Sequence, residues 1–126
     1  MVTGRCNCGA VHFEAKAVRD TVTFCHCSLC RRMSGHYWAA TVAKLDDLTI
    51  RGEEALRWYA AGDVARRGFC GTCGCNLFFL EHDGTHMGIA AGALDAPTGL
   101  APGKHIFTAD AGDYYAVPDD APHVKD

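Results

Sequence analysis

The sequence predicts a mainly β domain with little helix, in which cysteine-bearing turns connect short strands. Short runs that are rich in β-branched and aromatic residues, or that alternate apolar with polar residues, recur along the 126 residues. Eight cysteines fall into three closely spaced groups, a pattern typical of metal-binding turns. The length fits one domain, residues 1–126.

Composition and charge exclude several classes of protein. Hydrophobic residues make up 48% of the chain and charged residues 21%, which is typical of a folded globular domain rather than a disordered one. The formal net charge is -3, and no basic cluster is larger than the pairs Arg31-Arg32 and Arg66-Arg67. We therefore do not expect nucleic acid as the main partner.

The location predicted from the sequence is the cytoplasm. No apolar run approaches the roughly 20 residues that span a bilayer, and the N-terminus lacks a signal pattern. In a reducing compartment, closely spaced cysteines indicate metal ligands or redox groups before disulfides. Four disulfides are the less favoured alternative, because C-x-C pairs are too close for easy bridging.

The N-terminal half is predicted to be a turn followed by strands. Gly4 to Gly9 holds a C-x-C pair flanked by glycines, which let backbone N–H groups face sulfur, and residues 11–15 then alternate as in a strand. A glycine turn with two small buried cysteines is the alternative. Further strands are predicted over 21–24 and 37–42, and the Asp46-Asp47 turn precedes more alternation up to Ile50.

The second half is predicted to consist of two hairpins and an irregular segment. In the first hairpin, Leu56, Trp58 and Ala60 alternate, residues 61–63 turn, and 64–69 return; a short helix over 53–60 is the alternative. Leu77–Leu80, a turn at Asp83-Gly84 and a strand through Met87, Ile89 and Ala91 form the second. Residues 95–103 are predicted to be irregular, 105–107 a short strand, and the end a polar tail. Trp38, Trp58 and Tyr59 are assigned to the core.

The stretch Cys25-x-Cys27-x-x-Cys30 is predicted to be a metal-binding loop. Side chains of a regular strand alternate between faces, so these three thiols reach one ion only from a chain that curls around it. Three protein ligands and an open fourth position are the pattern of a catalytic zinc, whereas four ligands are that of a structural one. We therefore expect Cys25, Cys27 and Cys30 to hold a metal with an exchangeable fourth position.

A second knuckle lies at Cys70-x-x-Cys73-Gly74. Paired with Cys6 and Cys8, it completes a four-thiolate structural zinc site that joins distant segments of the chain. Thioredoxin-like redox chemistry is the rival interpretation of C-x-x-C, but no βαβ pattern surrounds it.

These motifs, in this order, closely resemble the glutathione-dependent formaldehyde-activating enzyme family, which shares its domain with centromere protein V. The resemblance covers almost the whole chain. It rests on G-x-C-x-C-G at Gly4–Gly9, C-H-C-x-x-C-R at Cys25–Arg31, F-C-x-x-C-G at Phe69–Gly74, A-G-x-L-D at Ala91–Asp95 and H-I-F at His105–Phe107.

The resemblance implies an Mss4-like fold of small coiled antiparallel sheets and a carbon–sulfur lyase activity, the reversible addition of glutathione to formaldehyde. It implies structural zinc at Cys6, Cys8, Cys70 and Cys73, and catalytic zinc at Cys25, Cys27 and Cys30. Cys75 has no counterpart; a small buried residue is favoured over an occasional fourth ligand to the second ion.

The chemistry requires a thiolate, a carbonyl and a proton for the resulting alkoxide. A zinc ion with three thiolates is a poor Lewis acid, so we expect it to coordinate the incoming thiol. His26 and His36 are candidate proton carriers, and Arg31 or Arg32 a candidate site for a substrate carboxylate. The expected partners are a small thiol and an aldehyde. The alternative function is a zinc-stabilised binding module without turnover.

Overall fold

Strands dominate the computed structural model, which describes all 126 residues. The chain contains one α-helix, α1 (Ser28–Ser34), and ten strands. The strands are β1 (Val2–Arg5), β2 (His12–Ala15), β3 (Thr21–Cys25), β4 (Trp38–Lys44), β5 (Leu48–Arg51), β6 (Leu56–Ala60), β7 (Ala65–Cys70), β8 (Asn76–Glu81), β9 (His86–Ala90) and β10 (Ala101–Ile106). Single 3₁₀ turns occupy Leu45–Asp47, Glu53–Ala55, Ala91–Ala93 and Thr108–Asp110. The predicted mainly β fold with little helix is confirmed.

The strands form two sheets. The larger has seven strands in the order β10-β3-β4-β9-β8-β7-β6, and the smaller has three in the order β1-β2-β5. All neighbours are antiparallel except β10 and β3, which are parallel. This order places the ends of β3 and β7, and hence two cysteine groups, within one sheet.

The core lies between the two sheets. Apolar residues of β2 face those of β8 and β9, and the Phe13 ring meets the Phe78 ring edge to face with centroids 5.2 Å apart. Leu77, Phe78 and Ile89 are fully buried. Burial of each such side chain contributes about 1.5–3 kcal/mol, so this layer is the main apolar support of the fold.

The hairpin predicted over residues 56–69 is confirmed, whereas the helix alternative over 53–60 is wrong. Strands β6 and β7 pair antiparallel, and only Glu53–Ala55 forms a 3₁₀ turn. The assignment of Trp58 and Tyr59 to the core is wrong, because β6 is an edge strand and these side chains are 37% and 50% exposed. Trp38, on the central strand β4, is buried as expected.

Other differences concern the ends of elements. Strand β1 was not predicted, and β10 begins at Ala101, inside the segment expected to be irregular. Phe107 lies outside β10 with a positive φ of 54°, and Ala91 lies in a 3₁₀ turn after β9. None of the helices combines the length and the apolar character that a membrane-spanning helix needs.

Candidate metal centres and active site

The first cluster consists of Cys6, Cys8, Cys70 and Cys73, supplied by the β1–β2 and β7–β8 turns. Their four Sγ atoms lie within 4.8 Å of one another, with Cys6 and Cys8 3.6 Å apart and Cys8 and Cys70 3.8 Å apart. Four sulfurs at about 2.3 Å from one zinc ion would be separated by about 3.8 Å. The cluster therefore fits a tetrahedral zinc ion.

All eight cysteines are free, so the disulfide alternative is wrong. A disulfide would bring two sulfurs to about 2.05 Å, far closer than any pair in the first cluster. The chemistry of this donor set is that of a closed structural site, since all four positions of a tetrahedron are supplied by the chain.

Backbone N–H groups favour thiolates in the first cluster. The amides of Thr72 and Cys73 each donate to Cys70 Sγ over 3.4 Å, and the Val11 amide donates to Cys6 Sγ over 3.4 Å. Backbone N–H groups of Cys8 and Cys75 lower the pKa of Cys73 to about 5. Because zinc binds the deprotonated thiol, these N–H donors to Cys6, Cys70 and Cys73 suit the role of metal ligand at those three residues.

Cys75 lies beside the first cluster. Its Sγ accepts a hydrogen bond from the Asn7 amide over 3.2 Å, and it is half-buried. The structure does not bring it to the group formed by Cys25, Cys27 and Cys30, so a role as a fourth ligand there is not supported by its placement.

The second cluster consists of Cys25, Cys27 and Cys30, whose Sγ atoms lie within 4.8 Å of one another. The expected loop is instead a strand, a short link and a helix: Cys25 ends β3, Cys27 caps α1 and Cys30 lies in its first turn. Cys27 Sγ accepts a hydrogen bond from the Cys30 amide over 3.3 Å, as the side-chain oxygen of a serine or aspartate commonly does at a helix N-terminus. A helix was missed because seven residues give little periodic signal.

Arg67 is the neighbour of the second cluster that sequence reasoning missed. Its Nη2 donates to Cys30 Sγ over 3.1 Å, and its side chain is buried. A hydrogen bond from Cys25, and then the positive charge of Arg67, lower the pKa of Cys30 to about 6. The same bond raises the pKa of Cys25. The alternation of β7, which places Ala65 and Arg67 on one face, was the available signal.

His26 is fully buried, and both of its ring nitrogens have partners. Nδ1 lies 2.7 Å from the Tyr115 hydroxyl and Nε2 lies 2.8 Å from His105 Nδ1. Burial, and then the neighbouring His105, lower its pKa, which keeps the ring neutral. The imidazole thus holds the link between Cys25 and Cys27 in place. Its role as a proton carrier stays a prediction, and Tyr115 or His105 would have to relay the proton.

The other predicted substrate residues lie around α1. His36 is exposed at the end of the helix, with its ring 4.2 Å from that of Tyr37 and 4.6 Å from that of Tyr115. Arg31 is half-buried and Arg32 is exposed, and neither forms an ion pair. Neither guanidinium group is therefore neutralised by a carboxylate of the chain.

A cavity of about 610 Å³ lies beside the first cluster. Cys6 and Cys75 contribute to its wall on the side of the first cluster. Trp38, Ala90 and Ala93 contribute to it, and the same residues pack around the second cluster. The cysteines of the second cluster adjoin these lining residues rather than lining the cavity themselves. Its size suits a small ligand.

Fold and clusters together define a β domain with one four-thiol cluster and one three-thiol cluster, each of which could hold a metal ion. Residues 1–110 match the family described as glutathione-dependent formaldehyde-activating enzyme, and the chain belongs to that family.

Two relatives show the same likeness. An uncharacterized lyase of Schizosaccharomyces pombe is 29% identical over 85 residues, which cover 64% of this chain and 58% of that protein. A crystal structure of a Rhodobacter sphaeroides protein superposes with a TM-score of 0.66 at 32% identity, covering 79% of this chain and 97% of that one. The solved structure thus shares the fold over most of this chain, whereas the chain spans 58% of the length of the curated relative.

Proposed function

We propose that this protein is a zinc-dependent carbon–sulfur lyase that reversibly adds a thiol, glutathione or a similar one, to formaldehyde or another small aldehyde. The family and the relative named as a lyase support the general class. The observation that carries the specific proposal is the second cluster, which gathers three thiols without a fourth ligand from the chain. A donor set of this kind leaves one position for a substrate.

Cys25, Cys27 and Cys30 would hold the working zinc, and the first cluster the structural one. When bound there, zinc supplies a site that keeps a substrate thiol as its thiolate at neutral pH. The chain's own residues position the reactants. Arg31 and Arg32 offer charge-assisted hydrogen bonds to a substrate carboxylate, and the cavity beside Trp38 provides space for the rest.

In the forward reaction, the thiol sulfur forms a bond to the carbonyl carbon. The electron pair of the carbonyl π bond moves to oxygen, which takes up the proton that the thiol has lost. The reverse reaction breaks the same carbon–sulfur bond and regenerates thiol and aldehyde. Proton carriage between sulfur and oxygen is the role proposed for His26, through Tyr115 or His105, or for the exposed His36.

The test combines zinc content with a panel of thiols and aldehydes, comparing the parent with Cys27→Ser. We expect the variant to keep its fold and one equivalent of zinc while losing the second equivalent and the rate enhancement. Cys75→Ser is the matched control for zinc content and should keep two equivalents. A parent that binds two equivalents but never exceeds the uncatalysed rate would favour the binding module instead. Global unfolding of Cys27→Ser would make the second cluster structural.

A further inference from the structure

Arg67 is a buried cation without a carboxylate partner. Its side chain is 4% exposed, and the one ion pair in the structure joins Arg51 to Glu14 at the surface. Burial of an unpaired charge costs several kcal/mol, so buried arginines nearly always have a counter-charge. The contact that meets this need is the hydrogen bond from Arg67 Nη2 to Cys30 Sγ, over 3.1 Å.

Two aromatic rings fix the guanidinium of Arg67 in this position. The guanidinium carbon lies 5.4 Å from the centre of the Trp38 ring and 5.1 Å from that of the Phe79 ring. Phe79 is also the register partner of Arg67 across β7 and β8. A planar guanidinium stacks on aromatic faces in a way that the compact ammonium of lysine does not. The charge is therefore held at one distance from Cys30.

We propose that Arg67 is a positioning residue of the second cluster, which fixes Cys30 Sγ and supplies the positive charge that lets the cluster bind a divalent metal together with an anionic fourth ligand. Three thiolates outweigh the charge of a divalent cation by one, and Arg67 cancels that excess. With Arg67 present, a thiolate entering the fourth position leaves one net negative charge at the site; without Arg67 it would leave two. The choice of a thiolate as this ligand rests on the proposed function, whereas the effect on metal binding does not.

The chain offers a matched control in the adjacent residue. Arg66 lies on the same strand with its side chain on the other face, where its guanidinium carbon is 4.8 Å from the centre of the Trp58 ring. Arg67→Met and Arg66→Met therefore remove the same charge and leave similar side-chain length. Only the first change removes a contact with a cysteine of the second cluster.

The first measurement is the affinity of the variants for each equivalent of zinc, determined by competition with a chromophoric chelator. We expect Arg67→Met to bind the second equivalent on the order of 10–100-fold more weakly than the parent, while the first equivalent stays tightly bound. Arg66→Met should bind both equivalents as the parent does. Equal affinities of Arg67→Met and Arg66→Met for the second equivalent would overturn the proposal.

The second measurement uses cobalt(II) in place of zinc and azide as the probe anion, followed by visible absorption. Azide should bind more weakly to Arg67→Met than to Arg66→Met, and equal binding would overturn the anion part of the proposal. A parent without lyase turnover that shows this difference would refute the proposed function and leave the role of Arg67 intact.

Replacement of a buried arginine by methionine can also prevent folding. In that case the proposal is tested by comparing the zinc affinities of Arg67→Lys and Arg66→Lys, since both variants keep the positive charge. Arg67→Lys should bind the second zinc more weakly than the parent, because an ammonium group neither stacks between Trp38 and Phe79 nor donates in the same geometry. Affinities equal to that of Arg66→Lys would overturn the proposal.

Discussion

At the scale of single residues, left-handed glycines and buried histidines are the positions where the structure most restricts which amino acid is tolerated. Gly52 has a φ of 78°, and a Cβ atom placed there would collide with the carbonyl oxygen of Ala10. Gly99 has a similar φ of 73° but faces open space. The two positions therefore separate the cost of a left-handed backbone from the cost of a steric clash.

Gly52→Ala should destabilise the protein by more than Gly99→Ala. The left-handed conformation alone costs roughly 1–2 kcal/mol for a residue with a Cβ atom, and we expect that cost at both positions. At Gly52 the backbone must also shift away from Ala10. Urea unfolding of the two variants measures the difference, and equal destabilisation would show that the clash relaxes without cost.

The buried His105 predicts a loss of stability in mild acid. Burial, and then the charge of His123, lower its pKa below the value near 6.5 of an unfolded chain. Between these two pKa values the unfolded state binds more protons, so stability is fully present above about pH 6.5 and falls as the pH decreases. Unfolding free energies between pH 7.5 and 5.5 should decline less in His105→Gln than in the parent.

Zinc content must be followed across the same pH range, since cysteine ligands are also protonated in acid. The comparison is valid where both proteins keep two equivalents. An unchanged pH dependence in His105→Gln would show that this histidine does not contribute to acid sensitivity.

At the scale of elements, α1 depends on its surroundings. A helix of seven residues is too short to be stable alone. Asn76 Nδ2 donates to the Met33 carbonyl oxygen over 2.8 Å, and Ser34 Oγ donates to that of Cys30 over 2.7 Å. The first of these bonds ties the C-terminal part of α1 to β8 and so positions Cys30.

Asn76→Ala should loosen α1 without disturbing the core. Loss of this hydrogen bond should lower the free energy of unfolding by about 0.5–1.5 kcal/mol. It should also weaken zinc binding at the second cluster, while zinc at the first cluster stays bound. Hydrogen exchange of α1 amides should accelerate, whereas the amides of β8 and β9 should keep their protection. Faster exchange throughout the large sheet would contradict a local role.

Elements also show which parts of the fold the sequence could predict. The β6–β7 and β8–β9 hairpins followed from alternation and turn residues, and the cysteine groups followed from their spacing. The exposure of Trp58 could not be predicted in this way, because alternation does not distinguish an edge strand from a central one. Arg67 was missed for a related reason: a charged side chain is normally assigned to solvent, and its counter-charge comes from Cys30, 37 residues away. The short helix α1 depends on tertiary contacts that no local pattern reports.

At the scale of the whole molecule, the two clusters differ in what they connect. The first joins turns that lie more than 60 residues apart in the chain and belong to different sheets. The second closes a segment of six residues between β3 and α1. Closing a long loop removes more entropy from the unfolded chain, so a metal ion in the first cluster would contribute more to global stability than one in the second.

Cys8→Ser should therefore lower the melting temperature far more than Cys27→Ser does. We expect Cys8→Ser to lose the first zinc and much of its cooperative unfolding, whereas Cys27→Ser melts near the parent temperature. Thermal melts followed by circular dichroism, with metal analysis of the same samples, measure this. Similar melting temperatures for the two variants would contradict a division into structural and working sites.

The cavity beside the four-thiol cluster offers a way to detect ligand binding by spectroscopy. Cys6 and Trp38 lie on its wall, so a bound molecule would touch a ligand of the four-thiol cluster and a residue that packs against the three-thiol cluster. A coloured metal ion installed only in the four-thiol cluster should change its absorption spectrum when such a molecule binds, even if the proposed reaction takes place at the other cluster. Occupancy of the cavity could then be followed by absorption without replacing any metal ion at the three-thiol cluster.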